Sequence, residues 1–119
     1  MSTHDRNRNI LLHMLVYCDQ ADAAMAHFGN DYDVFSSNTV YQNAVAMCLL
    51  QIGELTGHLT DDFKASHPQQ AWRQIKGLRN IIAHHYGAID AETTWEIVQD
   101  DLPSLRAFCE EILSGEMKE

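Results

Sequence analysis

The sequence has few residues that interrupt helices. It also lacks the features of a disulfide-linked or membrane-spanning fold. Two prolines and six glycines in 119 residues leave long stretches free to be helical. The three cysteines are odd in number and form no C-x-x-C pair, which disfavours a disulfide framework or a zinc knuckle. No apolar run approaches the roughly 18–20 residues of a membrane span, and the polar N-terminus lacks the apolar core of a signal peptide. We therefore expect one cytoplasmic domain over residues 1–119, with buried thiols at Cys18, Cys48 and Cys109.

Acidic residues are missing from one long segment of an otherwise acidic chain. The formal net charge of −9 disfavours a general nucleic-acid binder. Between Asp62 and Asp90, however, there is no Asp or Glu, and this gap holds four of the eight Lys and Arg residues: Lys64, Arg73, Lys76 and Arg79. Such a segment can hold an anion locally. A solvated helix face that arose by chance is the alternative that charge alone leaves open.

Apolar residues recur at helical spacing along nearly the whole chain, and no segment shows the alternation of a strand. The spacing predicts a first helix over about residues 5–28, ended by Gly29 or Asn30. A second helix is expected to begin near Ser37 or Asn38, either of which suits an N-cap. Gly53 interrupts its apolar stripe at a cost of about 1 kcal/mol, which points to a close helix–helix contact there.

The second half of the chain predicts two or three further helices. The stretch "TDDFKASHPQQ" is expected to be a connector, and Pro68 to occupy the first turn of a third helix that ends at Gly87. Asp90 is expected to cap a fourth helix, Pro103 to kink or restart the chain, and "SGEMKE" to fray. The fold prediction is therefore all-α, an antiparallel bundle of four to five helices.

The stretch "RNIIAHHYG", residues 79–87, concentrates side chains that suit RNA cleavage without a metal. His84 can take the proton of a ribose 2′-OH near neutral pH, because the ordinary imidazole pKa lies close by. The fork of Arg79 can stabilise the charge that gathers on the phosphate oxygens, and Asn80 can hold the imidazole or one of those oxygens. Such a reaction requires RNA, because DNA has no 2′-OH.

Residue chemistry alone leaves a structural reading of this segment open. A histidine at a helix end interacts favourably with the helix dipole. Arg79 could instead pair with Glu54 or another acid, and Tyr86 could lie at the edge of the core. A metal site is disfavoured, because the sequence has no H-x-x-x-H pair and the adjacent His84 and His85 diverge by about 100° on a helix.

Helical geometry constrains how the segment could form one site. At 100° per residue Asn80 and His84 share one face, and Arg79 and Tyr86 share another. Arg79 and His84 would then lie about 140° apart, so a straight helix cannot direct both at one spot. Either the helix distorts near His84, or a second copy of the chain completes the site across a two-fold axis.

These residues resemble the R-x4-H-x-Y motif of HepT-like toxins, a branch of the HEPN superfamily. Arg79, His84 and Tyr86 match its arginine, histidine and tyrosine, and Asn80 matches the polar residue that often follows the arginine. Three further stretches are similar to the family pattern: "QIGEL" at residues 51–55, "WRQIKGLRN" at 72–80 and "TWEIVQDDLPSL" at 94–105. The likeness spans about residues 5–113.

The resemblance implies a helical homodimer with the motif in a cleft between subunits. It implies a metal-independent ribonuclease toxin that acts on tRNA or mRNA and needs no cofactor. Arg79, His84 and Asn80 would then be the catalytic residues. The candidates for additional RNA contact are Arg73, Lys76 and His85, although exposure of His85 on another helix face is an equal alternative.

The resemblance also implies a protein partner, a minimal nucleotidyltransferase antitoxin of a type II/VII-like pair. Such an antitoxin can transfer AMP to the motif tyrosine, here Tyr86. A phosphate added beside Arg79 and His84 would occupy the anion site and repel RNA. The alternative function is a non-catalytic HEPN module that binds a nucleotide or acts as partner of the nucleotidyltransferase.

Overall fold

Helices make up most of the chain. The structure is a computed structural model that describes residues 2–83 and 88–117, without the side chains of the last two of these. The elements follow in the order α1 (Thr3–Phe28), α2 (Tyr32–Ser37), α3 (Thr39–Thr56), α4 (Asp61–Ser66), α5 (Trp72–Lys76), α6 (Leu78–Ile82), α7 (Ala91–Glu96), a π-helical turn (Ile97–Asp101) and α8 (Leu102–Met117). The all-α prediction is confirmed. Within those two ranges, no helix combines the length and apolarity that crossing a membrane requires.

The long helices α1 and α3 pack antiparallel. At one end, the amide of Asn7 donates to Oγ1 of Thr60, just beyond α3. At the other end, the hydroxyl of Tyr41 donates to the carbonyl of Gly29, just beyond α1. Helix α8 lies against α1 and completes the bundle. Its core is formed by apolar side chains of the three helices, among them Leu11, Met14, Cys18, Val45, Leu49, Ile52, Leu105, Cys109 and Leu113.

The predicted helix ends of the first half are largely confirmed. Gly29 follows α1 with φ at +114°, a conformation that L side chains rarely adopt. The side chain of Asn38 accepts from the backbone N–H of Tyr41 and so caps α3. The residues between α1 and α3 form an additional short helix, α2, that the spacing did not predict. Helix α2 forms there because Asp31 caps it with bonds from Asp33 and Val34.

The prediction of a connector over "TDDFKASHPQQ" is wrong in its first part. Thr60 caps α4 by accepting from the N–H of Phe63, and two acidic residues occupy the first turn, where the helix dipole favours them. Pro68 does not open the third helix, because α5 begins only at Trp72. The indole N–H of Trp72 donates to the carbonyls of Lys64 and His67, which joins α5 to the end of α4.

The C-terminal third follows the prediction at its start and departs from it later. Asp90 caps α7 by accepting from the N–H and hydroxyl of Thr93. The expected disruption at Pro103 takes the form of the π-helical turn before it, whose wider winding accommodates a residue that has no N–H. The prediction that "SGEMKE" frays is wrong up to Met117, because α8 continues through that residue beyond the buried Leu113.

Candidate functional site

Helices α5 and α6 present a basic outer face and an apolar inner face. Arg73, Lys76, Arg79 and Asn80 are exposed. Leu78 and Ile82 are buried, and Trp72 and Ile75 pack half-buried against the same core. These apolar residues follow the three- and four-residue spacing of an inward helical stripe. Helices α5 and α6 therefore expose Arg73, Lys76, Arg79 and the Asn80 amide while their apolar side chains anchor them to the core.

A tight turn at Gly77 joins the two short helices. The N–H of Gly77 bonds to the carbonyl of Arg73 at 3.0 Å, and the N–H of Asn80 bonds to the carbonyl of Gly77 at 2.9 Å. A Cβ at Gly77 would lie 3.3 Å from the carbonyl oxygen of Arg73, so a larger residue would be crowded. This break, which sequence periodicity missed, replaces the single third helix that we predicted.

The α5–α6 unit is held against α3 by a backbone contact at Gly53. A Cβ built there would lie 2.9 Å from the carbonyl oxygen of Ile75 and 3.4 Å from that of Lys76. Only a glycine lets the two backbones approach this closely. The close approach predicted from the position of Gly53 is confirmed, and it places the exposed face of α6 at a fixed distance from the bundle.

The motif helix ends earlier than predicted. Ala83 leaves the helical conformation, with φ −80° and ψ 139°, so α6 stops at Ile82. The prediction of one unbroken helix to Gly87 is therefore wrong at Ala83, so the assumption of a straight helix from Arg79 to Tyr86 fails at that residue. His84, His85, Tyr86 and Gly87 themselves lie outside the described residues.

The two sides of residues 84–87 are tied together. Ala83 pairs with Ile89 in an antiparallel bridge, and the N–H of Asp90 bonds to the carbonyl of Ile82 at 2.7 Å. Asp90 also caps α7. The end of α6 and the start of α7 are thus a single fixed frame on either side of the predicted catalytic histidine. This frame follows from the pairing of residues six and eight positions apart, which helical periodicity does not show.

The surroundings of Arg79 on this face differ from those of Arg106 on α8. Arg106 on α8 binds the carboxylates of Asp19 and Asp22, each at 2.6 Å, and these bonds raise the pKa of its guanidinium. By contrast, no carboxylate of residues 2–83 or 88–115 lies within 4 Å of Arg79. Glu54, the alternative partner for Arg79, lies instead 3.7 Å from Nε2 of His58. The guanidinium of Arg79 is accordingly open to an anion from solution.

The three cysteines take no part in this site. All are free and buried, as predicted. Burial raises the pKa of Cys18 to about 11 and that of Cys109 to about 12, and it also raises the pKa of Cys48. A buried thiol that keeps its proton is a poor nucleophile and a poor metal ligand. In the ranges for which side chains are described, no cluster of His, Cys, Asp or Glu suited to a metal ion is found.

Comparison with known proteins identifies the family. The sequence profile described as "Ribonuclease HepT-like" matches residues 14–112, which include α5, α6 and the whole motif. The chain belongs to this HepT-like family of the HEPN superfamily.

Curated relatives carry names of the same kind. "Putative RNase MJ1380" of Methanocaldococcus jannaschii is 37% identical over 76 residues, covering 64% of this chain and 70% of that protein. "Probable ribonuclease HepT" of Thermococcus cleftensis is 32% identical over 81 residues, covering 68% and 74%. "Putative RNase MJ0127" of M. jannaschii is 36% identical over 88 residues, covering 72% and 73%. No solved structure matches the chain.

Proposed function

We propose that this protein is a metal-independent endoribonuclease toxin. The observation that carries the proposal is the exposed face of α6, where Arg79 and Asn80 stand without an acidic partner among the described residues, on a frame that leads directly into His84. Membership of the HepT-like family and relatives named as ribonucleases support it. A phosphodiester is an anion of the kind that an unpaired arginine fork binds best.

The proposed reaction cleaves RNA with its own 2′-hydroxyl. His84 accepts the proton from the 2′-OH as that oxygen forms a bond to the neighbouring phosphorus. The bond from phosphorus to the 5′-oxygen then breaks, and the leaving oxygen takes a proton from the protonated imidazole. The products are a 2′,3′-cyclic phosphate and a 5′-hydroxyl end. Arg79 stabilises the negative charge on the phosphate oxygens in the transition state, and Asn80 orients one of them.

A homodimer would complete the proposed site. Ile81, beside Arg79 and Asn80 on α6, is 37% exposed, and Met47 and Val40 on the outer face of α3 are 55% and 64% exposed. Large apolar side chains in such positions favour burial against another chain. Two copies related by a two-fold axis would bring two sets of Arg79 and His84 to one cleft.

A nucleotidyltransferase antitoxin is the proposed regulator. Transfer of AMP to Tyr86 would place a phosphate near Arg79, since only six residues separate them in sequence. That phosphate would compete with the RNA phosphate for the guanidinium and would repel the strand. The modification would therefore switch the toxin off without unfolding it.

Cleavage in the presence of EDTA tests the proposal. Purified wild-type protein is expected to cleave a mixed-sequence RNA and to leave cyclic phosphate ends, whereas His84→Ala is expected to be inactive. Arg79→Lys keeps the charge but loses the fork, so it should retain only a small part of the activity. His27→Ala, an exposed histidine on α1, is the matched control and should cleave normally. RNA binding without cleavage by wild type would favour the non-catalytic module instead.

A further inference from the structure

A pocket lies between the start of α1 and the end of α3. Its volume is about 260 Å³, and it is lined by Arg6, Asn9, Ile10, His13, Leu55 and His58. Ile10 and Leu55 supply an apolar floor, and an arginine and two imidazoles surround it. None of the residues that line it is acidic, in a chain with seventeen acidic residues.

The bundle itself brings these side chains together. Arg6 and His13 are seven residues apart on α1, two helical turns, so they share one face with Ile10 between them. The antiparallel packing of α1 and α3 sets Leu55 and His58 opposite that face. Its register is held by Asn7, whose side chain donates to Oγ1 of Thr60 at 3.0 Å and accepts from its N–H at 3.1 Å. The pocket is therefore built by rigid helices rather than by a loop.

The composition of the pocket suits one nucleotide of a single strand. A nucleobase presents a flat apolar surface that packs on Ile10 and Leu55 and stacks on an imidazole, while the Arg6 guanidinium binds the adjoining phosphate. The carboxylate of Glu54 lies near the rim, 3.7 Å from Nε2 of His58, and its side chain is 76% exposed to solvent. A solvated carboxylate at that position repels a phosphate only weakly, because water screens it.

The pocket adjoins the basic face of α5. Gly57, the residue before His58, ends α3 directly beneath Lys76: a Cβ there would lie 3.5 Å from Cε of Lys76. A strand bound along α5 and α6 therefore reaches the pocket by crossing the end of α3. The larger cleft of the protein, about 530 Å³ between α5–α6 and α7–α8, offers no such path. It has no Lys, Arg or His in its lining and carries Glu96 and Asp101.

We propose that the pocket between Arg6 and His58 is an accessory RNA subsite, which binds a nucleotide of the strand at a distance from the cleaved bond. The ligand assignment rests on the proposed function. The subsite contributes to the binding of long RNA and takes no part in bond cleavage. It therefore favours strands long enough to span from α6 to the start of α1.

Kinetics on RNAs of different length test this subsite. The double variant Arg6→Ala/His13→Ala is expected to raise KM for a 12-nucleotide RNA roughly ten-fold, which is the effect of losing one stacked and charge-paired nucleotide. Its kcat should not change, and its cleavage of a dinucleotide should equal that of wild type. His27→Ala on the same helix is the control and should match wild type on both substrates.

Three outcomes would overturn the subsite. An unchanged KM for the 12-nucleotide RNA would refute the subsite and leave the proposed function intact. An equal loss of cleavage activity on the dinucleotide would show that the double variant disturbs the cleavage site or the fold. Tight binding of free AMP that the double variant abolishes, with RNA affinity unchanged, would assign the pocket to a free nucleotide.

A binding assay separates failure of the subsite from failure of the proposed function. If wild type cleaves no RNA, fluorescence anisotropy with a labelled 12-nucleotide RNA still measures the affinity. A roughly ten-fold weaker Kd for Arg6→Ala/His13→Ala in that assay supports the pocket as an RNA site of a non-cleaving protein. An unchanged Kd refutes it. His58→Ala gives an independent check, because this residue approaches the pocket from α3 and should weaken binding in the same direction.

Discussion

Gly53 on α3 lies against the carbonyl oxygen of Ile75, at a distance where a Cβ would come within 2.9 Å. This contact sets the position of α5 and, through Gly77, of α6 with Arg79. Substitution Gly53→Ala must push the two backbones apart, because a carbonyl on a helix cannot rotate away. We expect a loss of about 1–3 kcal/mol in the free energy of unfolding, measured by urea denaturation.

The matched control for that substitution is Gly115→Ala on α8. Among the described residues, no atom beyond the adjoining residues and the helix's own backbone lies within 4 Å of a Cβ built at Gly115, so alanine meets open space and improves helix propensity. We expect a gain of up to about 1 kcal/mol. If Gly53→Ala proved as well tolerated as Gly115→Ala, the close backbone contact between α3 and α5 would be refuted.

Asn7 is a buried polar residue whose removal should be costly. It is 7% exposed, and its side chain accepts a hydrogen bond from the N–H of Thr60 and donates one to the Thr60 hydroxyl. Thr60 in turn caps α4. Asn7→Ala leaves that N–H without its partner, and we expect a loss of about 1–3 kcal/mol in thermal unfolding experiments. Asn43→Ala, at an exposed position of α3, should change stability little. Equal effects of the two substitutions would argue against the structural tie at Thr60.

The buried thiols predict a loss of stability in alkali. Burial raises the pKa of Cys109 from 9.0 to about 12 and that of Cys18 to about 11. The folded protein keeps these protons at pH values where the unfolded chain releases them. The contribution of these thiols to the free energy of unfolding is therefore complete below about pH 9, and it is lost as the pH rises through 11 to 12.

Urea denaturation at several pH values checks this dependence. The free energy of unfolding of Cys109→Ala should decline less steeply than that of wild type between pH 8.5 and pH 11. The variant lacks one of the thiols that release a proton when the chain unfolds. In native wild type at pH 8, the thiols should react with a disulfide reagent only as fast as the protein opens. Parallel stability curves for the two proteins would contradict the raised pKa of Cys109.

The exposed cations of α5 should determine the salt dependence of RNA binding. Each of Arg73→Ala and Lys76→Ala is expected to weaken binding for all sequences alike and to reduce the slope of log affinity against log salt by about 0.7, the value for one contact with a single strand. Lys64→Ala is the control within the same acid-free segment, because Lys64 lies 3.9 Å from the carboxylate of Asp61 and is only 19% exposed. If neither Arg73→Ala nor Lys76→Ala changed the slope of log affinity against log salt, the RNA would bind away from α5.

The prediction of the site from sequence succeeded in part, for identifiable reasons. The outward Arg73, Lys76 and Arg79 and the inward Leu78 and Ile82 follow from spacing, because short helical segments still obey the helical period. The stop at Ile82 did not follow from it. Ala83 is a good helix former, and its extended conformation results from pairing with Ile89, a contact that local propensity does not contain.

Sequence by itself determined three properties of this chain. It is an all-α bundle, its helices α1, α3 and α7 have caps at predictable positions, and half of its Lys and Arg residues lie in one segment that includes the motif arginine. These properties depend on neighbours within a few residues, which periodicity and capping chemistry describe. Tertiary structure alone decided where α5 and α6 divide, where the motif helix stops, and that Arg6 and His13 meet His58 at a pocket. Each of these depends on backbones or side chains from distant parts of the chain, and only packing brings those together.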